Sequence, residues 1–146
     1  MLEFTKEVIR LRKHHPVFRR GKFFYGRRVR GAEVKDLTWF RPDGKEMTEE
    51  DWTNPLTRSF GLRLAGDALD ELDAHGQPLA DDTLLLINAY WEPLSFVLPA
   101  HKPGLTWETQ LDTREATGKS NRPSLRGGDT CEIAGRSLVL LKLVEV

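Results

Sequence analysis

The spacing of apolar residues along the chain changes near residue 20 and keeps its second period to the end. From Leu2 to about Lys13, the residues Leu2, Phe4, Val8, Ile9 and Leu11 gather toward one side of a 3.6-residue repeat. Glu3, Lys6, Glu7, Arg10 and Lys13 fill the rest, so the segment predicts an amphipathic helix. Glu3–Lys6 and Glu7–Arg10 are favourable pairs one turn apart. His14-His15-Pro16 ends the helix, because Pro16 disfavours α geometry at His15 and has no N–H to donate.

Beyond this point the repeat is two. Val34 to Phe40, Phe60 to Leu64, Leu105 to Leu111 and Ser137 to Val146 read as strands, and Phe23 to Tyr25 is a short aromatic run. Thr83 to Ala89 carries four successive aliphatic residues, the pattern of a central strand buried on both faces, and Phe96 to Leu98 is placed beside it. Leu105, Trp107, Thr109 and Leu111 are read as one face. Thr130 to Ile133 and the last strand are read as a hairpin around Ala134-Gly135-Arg136. Arg41-Pro42-Asp43-Gly44 is turn chemistry, and Thr48 followed by Glu49, Glu50 and Asp51 predicts the cap and first turn of a short helix. Gly76-Gln77-Pro78 marks a loop tip, and Ala116 to Gly128 a long surface loop. About eight short strands with no helices between them, behind one helix, predict a mainly β fold: an antiparallel two-sheet β-sandwich.

Composition narrows the function classes. A chain of 146 residues suits one core and falls short of the roughly 250 residues of a (β/α)8 barrel. Formal net charge is zero, which gives no global attraction to nucleic acid or to an acidic membrane. The first third is nonetheless basic, with Arg10, Arg12, Lys13, Arg19, Arg20, Arg27 and Arg28 among Phe18, Phe23, Phe24 and Tyr25. The acidic stretch from Asp43 to Asp82 balances it, so internal pairing, or contact with an acidic partner domain, is expected rather than a nucleic-acid surface. The single cysteine, Cys131, has no disulfide partner within the chain and reads as a buried thiol, which suits a cytoplasmic protein. No apolar run approaches a membrane span, and the N-terminus lacks the core of a signal peptide.

Four tryptophans invite a carbohydrate reading, since flat indole faces stack on sugar rings. Trp107 is expected in the core and Trp39 at a strand end. Trp52 and Trp91 are the candidates for exposure and for carbohydrate binding, against the commoner use of large aromatics in packing. Carboxylates are plentiful, but none of Asp81, Asp82, Asp112 and Asp129 has a sequence context that would desolvate it. A retaining glycosidase needs two carboxyls about 5–5.5 Å apart with unlike pKa values. No catalytic residue is assigned. The histidines, His14, His15, His75 and His101, have no metal-ligand spacing, and no metal or cofactor is expected.

Three segments carry a resemblance that pattern alone does not supply. HHPVFRR (His14 to Arg20), WFRPDGKEMTEEDW (Trp39 to Trp52) and DDTLLLINAYWEP (Asp81 to Pro93), followed by GRSLVLL (Gly135 to Leu141), resemble the C-terminal part of bacterial glycogen-debranching enzymes, the isoamylase-like branch of the α-amylase clan of glycoside hydrolases. The resemblance implies a β-sandwich that follows a catalytic (β/α)8 barrel. Residues 1–20 would be the last barrel helix and its linker, and residues 21–146 the sandwich. It further implies that the clan's catalytic carboxylates lie in that barrel, so this chain alone would not be an enzyme. The parent would hydrolyse α-1,6 branch linkages in glycogen or limit dextrin with retention, and would meet α-glucan through its barrel. The helix face of Leu2, Phe4, Val8, Ile9 and Leu11 would then have lost a partner, leaving packing on the rest of the chain, self-association or fraying.

Overall fold

A computed structural model describes residues 1–21, 23–28, 34–66, 75 and 81–146. Helix α1 (Leu2–His14) leads into a 3₁₀ turn at Pro16–Arg19. Strands β1 (Leu37–Phe40), β2 (Ser59–Leu64), β3 (Thr83–Asn88), β4 (Leu94–Val97), β5 (Leu105–Asp112), β6 (Thr130–Ile133) and β7 (Ser137–Glu145) follow, with the short helix α2 (Glu49–Thr53) between β1 and β2. The described residues thus hold seven strands where about eight were expected, in a mainly β, antiparallel arrangement. Gly76-Gln77-Pro78 lies outside the described residues.

Five strands form one sheet in the order β1-β2-β3-β7-β5, and β4 and β6 form a second. Two expected pairings are corrected. The segment around Phe96 does not join β3: β4 pairs with β6 through Phe96–Cys131 and Leu94–Ile133. The last two strands are not a hairpin either, because β7 runs between β3 and β5 while β6 lies in the opposite sheet. The turn at Ala134-Gly135-Arg136 is an arch between sheets. Short strands of alternating pattern fit either partner equally well, so turn residues alone do not separate a hairpin from an arch.

The core lies between the sheets. Leu84 and Leu86 of β3, Trp107 of β5, and Val139 and Leu141 of β7 meet Phe96, Cys131 and Ile133 of the smaller sheet. Strand β3 is apolar on its other face too. There Leu85, with Leu138, Leu140 and Leu111, receives Leu11 and Phe4 of α1 and Phe18 of the 3₁₀ turn. The position of Leu111 corrects the expected single face of β5. The ladder to β7 shifts between Thr109 and Leu111, and this bulge at Gln110 reverses the side on which later residues point. Trp107 and Thr109 therefore face the core, while Leu111 turns to the helix.

Docking divides the apolar face expected for α1. Phe4 and Leu11 pack on the sheet, together with buried Glu7, whose carboxylate takes the Arg10 guanidinium. Leu2 and Ile9, on the far side of the helix, stay 67% and 49% exposed. His15 anchors the helix end: its buried ring donates from Nδ1 to Asp81 Oδ2 at 3.1 Å, and Lys142 approaches the same oxygen at 3.1 Å. The basic segments also pair within the chain, Arg20 with Asp36 and Lys35 with Glu46, and Arg20 covers the Phe24 ring. Burial alone would raise the Asp36 carboxyl. The N–H groups of Tyr25 and Gly26, each at 2.8 Å, and Arg20 outweigh it and hold the group below its usual pKa.

Two outcomes follow from this packing. Burial lowers the His15 pKa from its usual 6.5, against the pull of Asp81. The unfolded chain therefore takes up that proton first as the pH falls, so stability is complete above about pH 6.5 and declines below it. Denaturant titrations at pH 7.5 and pH 5.5 should show this loss, and His15→Gln should remove most of it. Separately, a Cβ at Gly135 would overlap the Trp91 carbonyl, whereas one at Gly21 meets nothing within 4 Å. Gly135→Ala should cost about 1–3 kcal/mol by thermal or chemical unfolding, and Gly21→Ala should be near neutral.

Candidate functional site

Two of the four tryptophans are packed, and the other two stand out from the surface near one end of the larger sheet. Trp107 is fully buried. Trp39, on β1, is half-buried in a three-ring cluster: its ring centroid lies 5.2 Å from Trp52 and 5.6 Å from Phe60, both edge-on. Trp52 reaches this cluster from α2 and remains 50% exposed. The helix is short, but it is well started. Thr48 Oγ1 accepts from Asp51 N, and the Asp51 carboxylate accepts from Thr48 N at 2.8 Å, a reciprocal cap. That backbone hydrogen bond leads the causes that lower the Asp51 pKa.

Trp91 is 62% exposed, yet its backbone is tightly held. It sits in the turn between β3 and β4, directly beyond Asn88. The Asn88 side chain is buried, and its Oδ1 accepts from Ser59 Oγ at 2.9 Å and from Tyr90 N at 3.0 Å. Its Nδ2 donates to the carbonyls of Glu92, Ile133 and Ala134 at 2.9, 3.3 and 3.2 Å. From the other side, Arg136 N donates to Tyr90 O at 2.8 Å, and Gly135 leaves room for the Trp91 carbonyl. The rings are braced as well: Arg58 lies over Tyr90 at 5.1 Å, and Tyr90 sits 5.5 Å from Trp91.

Between α2 and this turn runs an open groove of about 380 Å³, lined among others by Arg41, Asp51, Leu56, Arg58, Tyr90 and Leu94. Neither Trp52 nor Trp91 lines it, but each follows a residue that does, Asp51 and Tyr90. The charge of Arg41 in its lining is compensated. Arg41 binds Asp43 through Nε at 3.1 Å and Nη2 at 2.5 Å, and its Nη1 lies 3.8 Å from Asp51. Sequence reasoning missed Tyr90 and Arg58. The available signal was NAYWEP itself, where a polar residue ends a buried strand and two aromatics follow at once.

Elsewhere the four aspartates weighed in the sequence are engaged with cations or backbone, and Asp112, contrary to expectation, is buried. Asp81 meets His15 and Lys142, Asp82 binds Arg63 at 2.5 Å, and Asp112 meets Arg122 at 2.7 Å. Asp129 accepts from Arg126 N at 2.8 Å. Glu7, Asp36, Asp43 and Asp51 are all held below their usual pKa, the direction opposite to that of a proton-donating acid at neutral pH. Cys131 is buried in the core, and that burial raises its pKa, which makes the thiol a poor nucleophile. Among the described residues, no group of three or more His, Cys, Asp or Glu is placed to hold a metal, and no helix is long and apolar enough to cross a membrane.

Comparison with known proteins gives this arrangement its family. The chain is 38% identical over 144 residues to a glycogen operon protein GlgX homolog of Mycobacterium tuberculosis, covering 97% of this chain and 20% of that protein. It is 25% identical over 136 residues to an isoamylase of a Flavobacterium species, covering 93% of this chain and 16% of that protein. It thus spans about a fifth of the length of the curated relatives it matches. Trehalulose synthase MutB of Pseudomonas mesoacidophila MX-45 overlaps 60% of this chain and 12% of its own at 18% identity, with a TM-score of 0.37, too low to bear on architecture or function. The family described as isoamylase, C-terminal, matches residues 36–142, and the chain belongs to it.

Proposed function

We propose that this chain is the non-catalytic C-terminal β-sandwich of a cytoplasmic glycogen-debranching glycoside hydrolase, whose barrel cuts α-1,6 branch linkages in glycogen or limit dextrin. The observation that carries the reading is the pairing of near-complete coverage of this chain with one-fifth coverage of a glycogen operon protein. The remaining length of such a relative is ample for a catalytic barrel.

The two sides of α1 supply the supporting role. The inner side, Phe4 and Leu11, belongs to the sandwich. The outer side, Leu2 and Ile9, faces away from it and suits an apolar flank of the barrel. In this reading residues 1–20 join the barrel to residues 21–146 by packing on both.

Two measurements test the proposal. The isolated chain, incubated with branched limit dextrin, should release no reducing ends above the buffer blank, and any turnover would defeat the non-catalytic assignment. Leu2→Asp with Ile9→Asp should change the stability of the isolated chain by about 0.5 kcal/mol or less, as expected of exposed positions. The same pair placed in the longer enzyme should lower its thermal midpoint and soluble yield. Equal loss in both proteins would contradict the outward role, and sedimentation of the isolated chain as a dimer that the pair dissolves would assign the stripe to self-association.

A further inference from the structure

The groove between α2 and the β3–β4 turn is lined by no residue of α1, and its construction is specific. An exposed tryptophan normally tumbles on a loose turn or is packed by its neighbours. Trp91 does neither: the indole is 62% exposed while its turn is fixed by the hydrogen bonds of buried Asn88, by Arg136 and by the space left at Gly135. The ring behind it, Tyr90, is itself covered by Arg58. A flat apolar face held out at little entropic cost is preorganised for contact.

The groove beside it narrows what that contact can be. Its lining is apolar at Leu56 and Leu94 and also carries guanidinium and carboxylate groups. Arg41 is offset by Asp43 and Asp51, so the lining offers hydrogen-bond donors and acceptors without a strong net field at that end. Such a lining suits a neutral ligand with many hydroxyls better than an ion, and the flat indole suits the C–H face of a sugar ring. We infer that Trp91, Tyr90, Arg58, Arg41 and Asp51 form a binding site for a linear α-1,4-glucan segment. The choice of glucan over other neutral polyols rests on the debranching reading above.

Titration of the 146-residue chain with maltoheptaose to millimolar concentration, followed by amide chemical shifts, tests this. Shifts should concentrate in residues 41–58 and 88–94. Trp91→Ala should weaken binding about tenfold, the effect of truncating an aromatic anchor. Trp91→Phe should retain part of the affinity, and the undisturbed remainder of the spectrum reports an intact fold in both. No perturbation at millimolar sugar, or perturbation that Trp91→Ala leaves unchanged, overturns the site while leaving the debranching reading intact. A silent titration combined with a destabilised full-length enzyme on Trp91→Ala would reassign the patch to contact between domains. Binding of cellohexaose and maltoheptaose with equal affinity would overturn the choice of ligand.

Discussion

The arrangement depends on strand β3 being apolar on both faces. Leu84 and Leu86 point to one side and Leu85 to the other, and β3 sits at the centre of a five-stranded sheet. An antiparallel sheet usually leaves one face to water, with polar residues alternating along its strands. Here that alternation is absent, so the sheet must be covered twice. The inner cover is a sheet of only two strands, whose Phe96 and Ile133 meet the large Trp107 of β5. The outer cover is α1. The bulge at Gln110 fits this demand, since it sends Leu111 to the helix side and keeps Trp107 in the core within a single strand.

Polar groups inside the sandwich fix how the layers cross. Apolar packing is tolerant of small slides, whereas a buried amide is costly unless its partners are in place. Asn88 has partners in β2, in the β3–β4 turn and at the end of β6, so one side chain ties the two sheets at a single end. At the other end Arg63 stands over Trp107 at 5.8 Å and binds Asp82, which also accepts from Gly66 N at 2.7 Å. The arch between β6 and β7 follows from the first of these ties: Gly135 has to pass the Trp91 backbone closely, and only a residue without a side chain does so.

Strand positions were legible because they depend on local period, and the seven strands fall where alternation or aliphatic runs placed them. The short capped helix at Thr48 and the turn at Pro42 were legible for a related reason, since capping and turn chemistry act over three or four residues. Pairing was not. Partner choice for Phe96 and for the final strand depends on side chains far apart in sequence, and the bulge that reverses Leu111 leaves no mark in the alternation itself. At the candidate site, the exposure of Trp52 and Trp91 could be anticipated from their places after a helix start and a buried strand. The bracing by Tyr90 and Arg58 could not, because Arg58 and Tyr90 are brought together only by the β2–β3 register.

The two exposed apolar surfaces differ in a way that bears on their uses. Leu2 and Ile9 are flexible aliphatic side chains on a helix whose inner side is already anchored, and burying them requires only another apolar surface of loose shape tolerance. Trp91 is a rigid plane on an immobilised turn, near paired Arg41 and near Arg58, which lies over the Tyr90 ring. Burying it against protein would require a partner for Arg58 as it loses water, at a cost that rises with each unmatched group. A hydroxyl-rich ligand supplies such partners along its length and leaves the outer face wet. The helix stripe is therefore suited to permanent attachment, and the tryptophan groove to reversible contact with a polar chain.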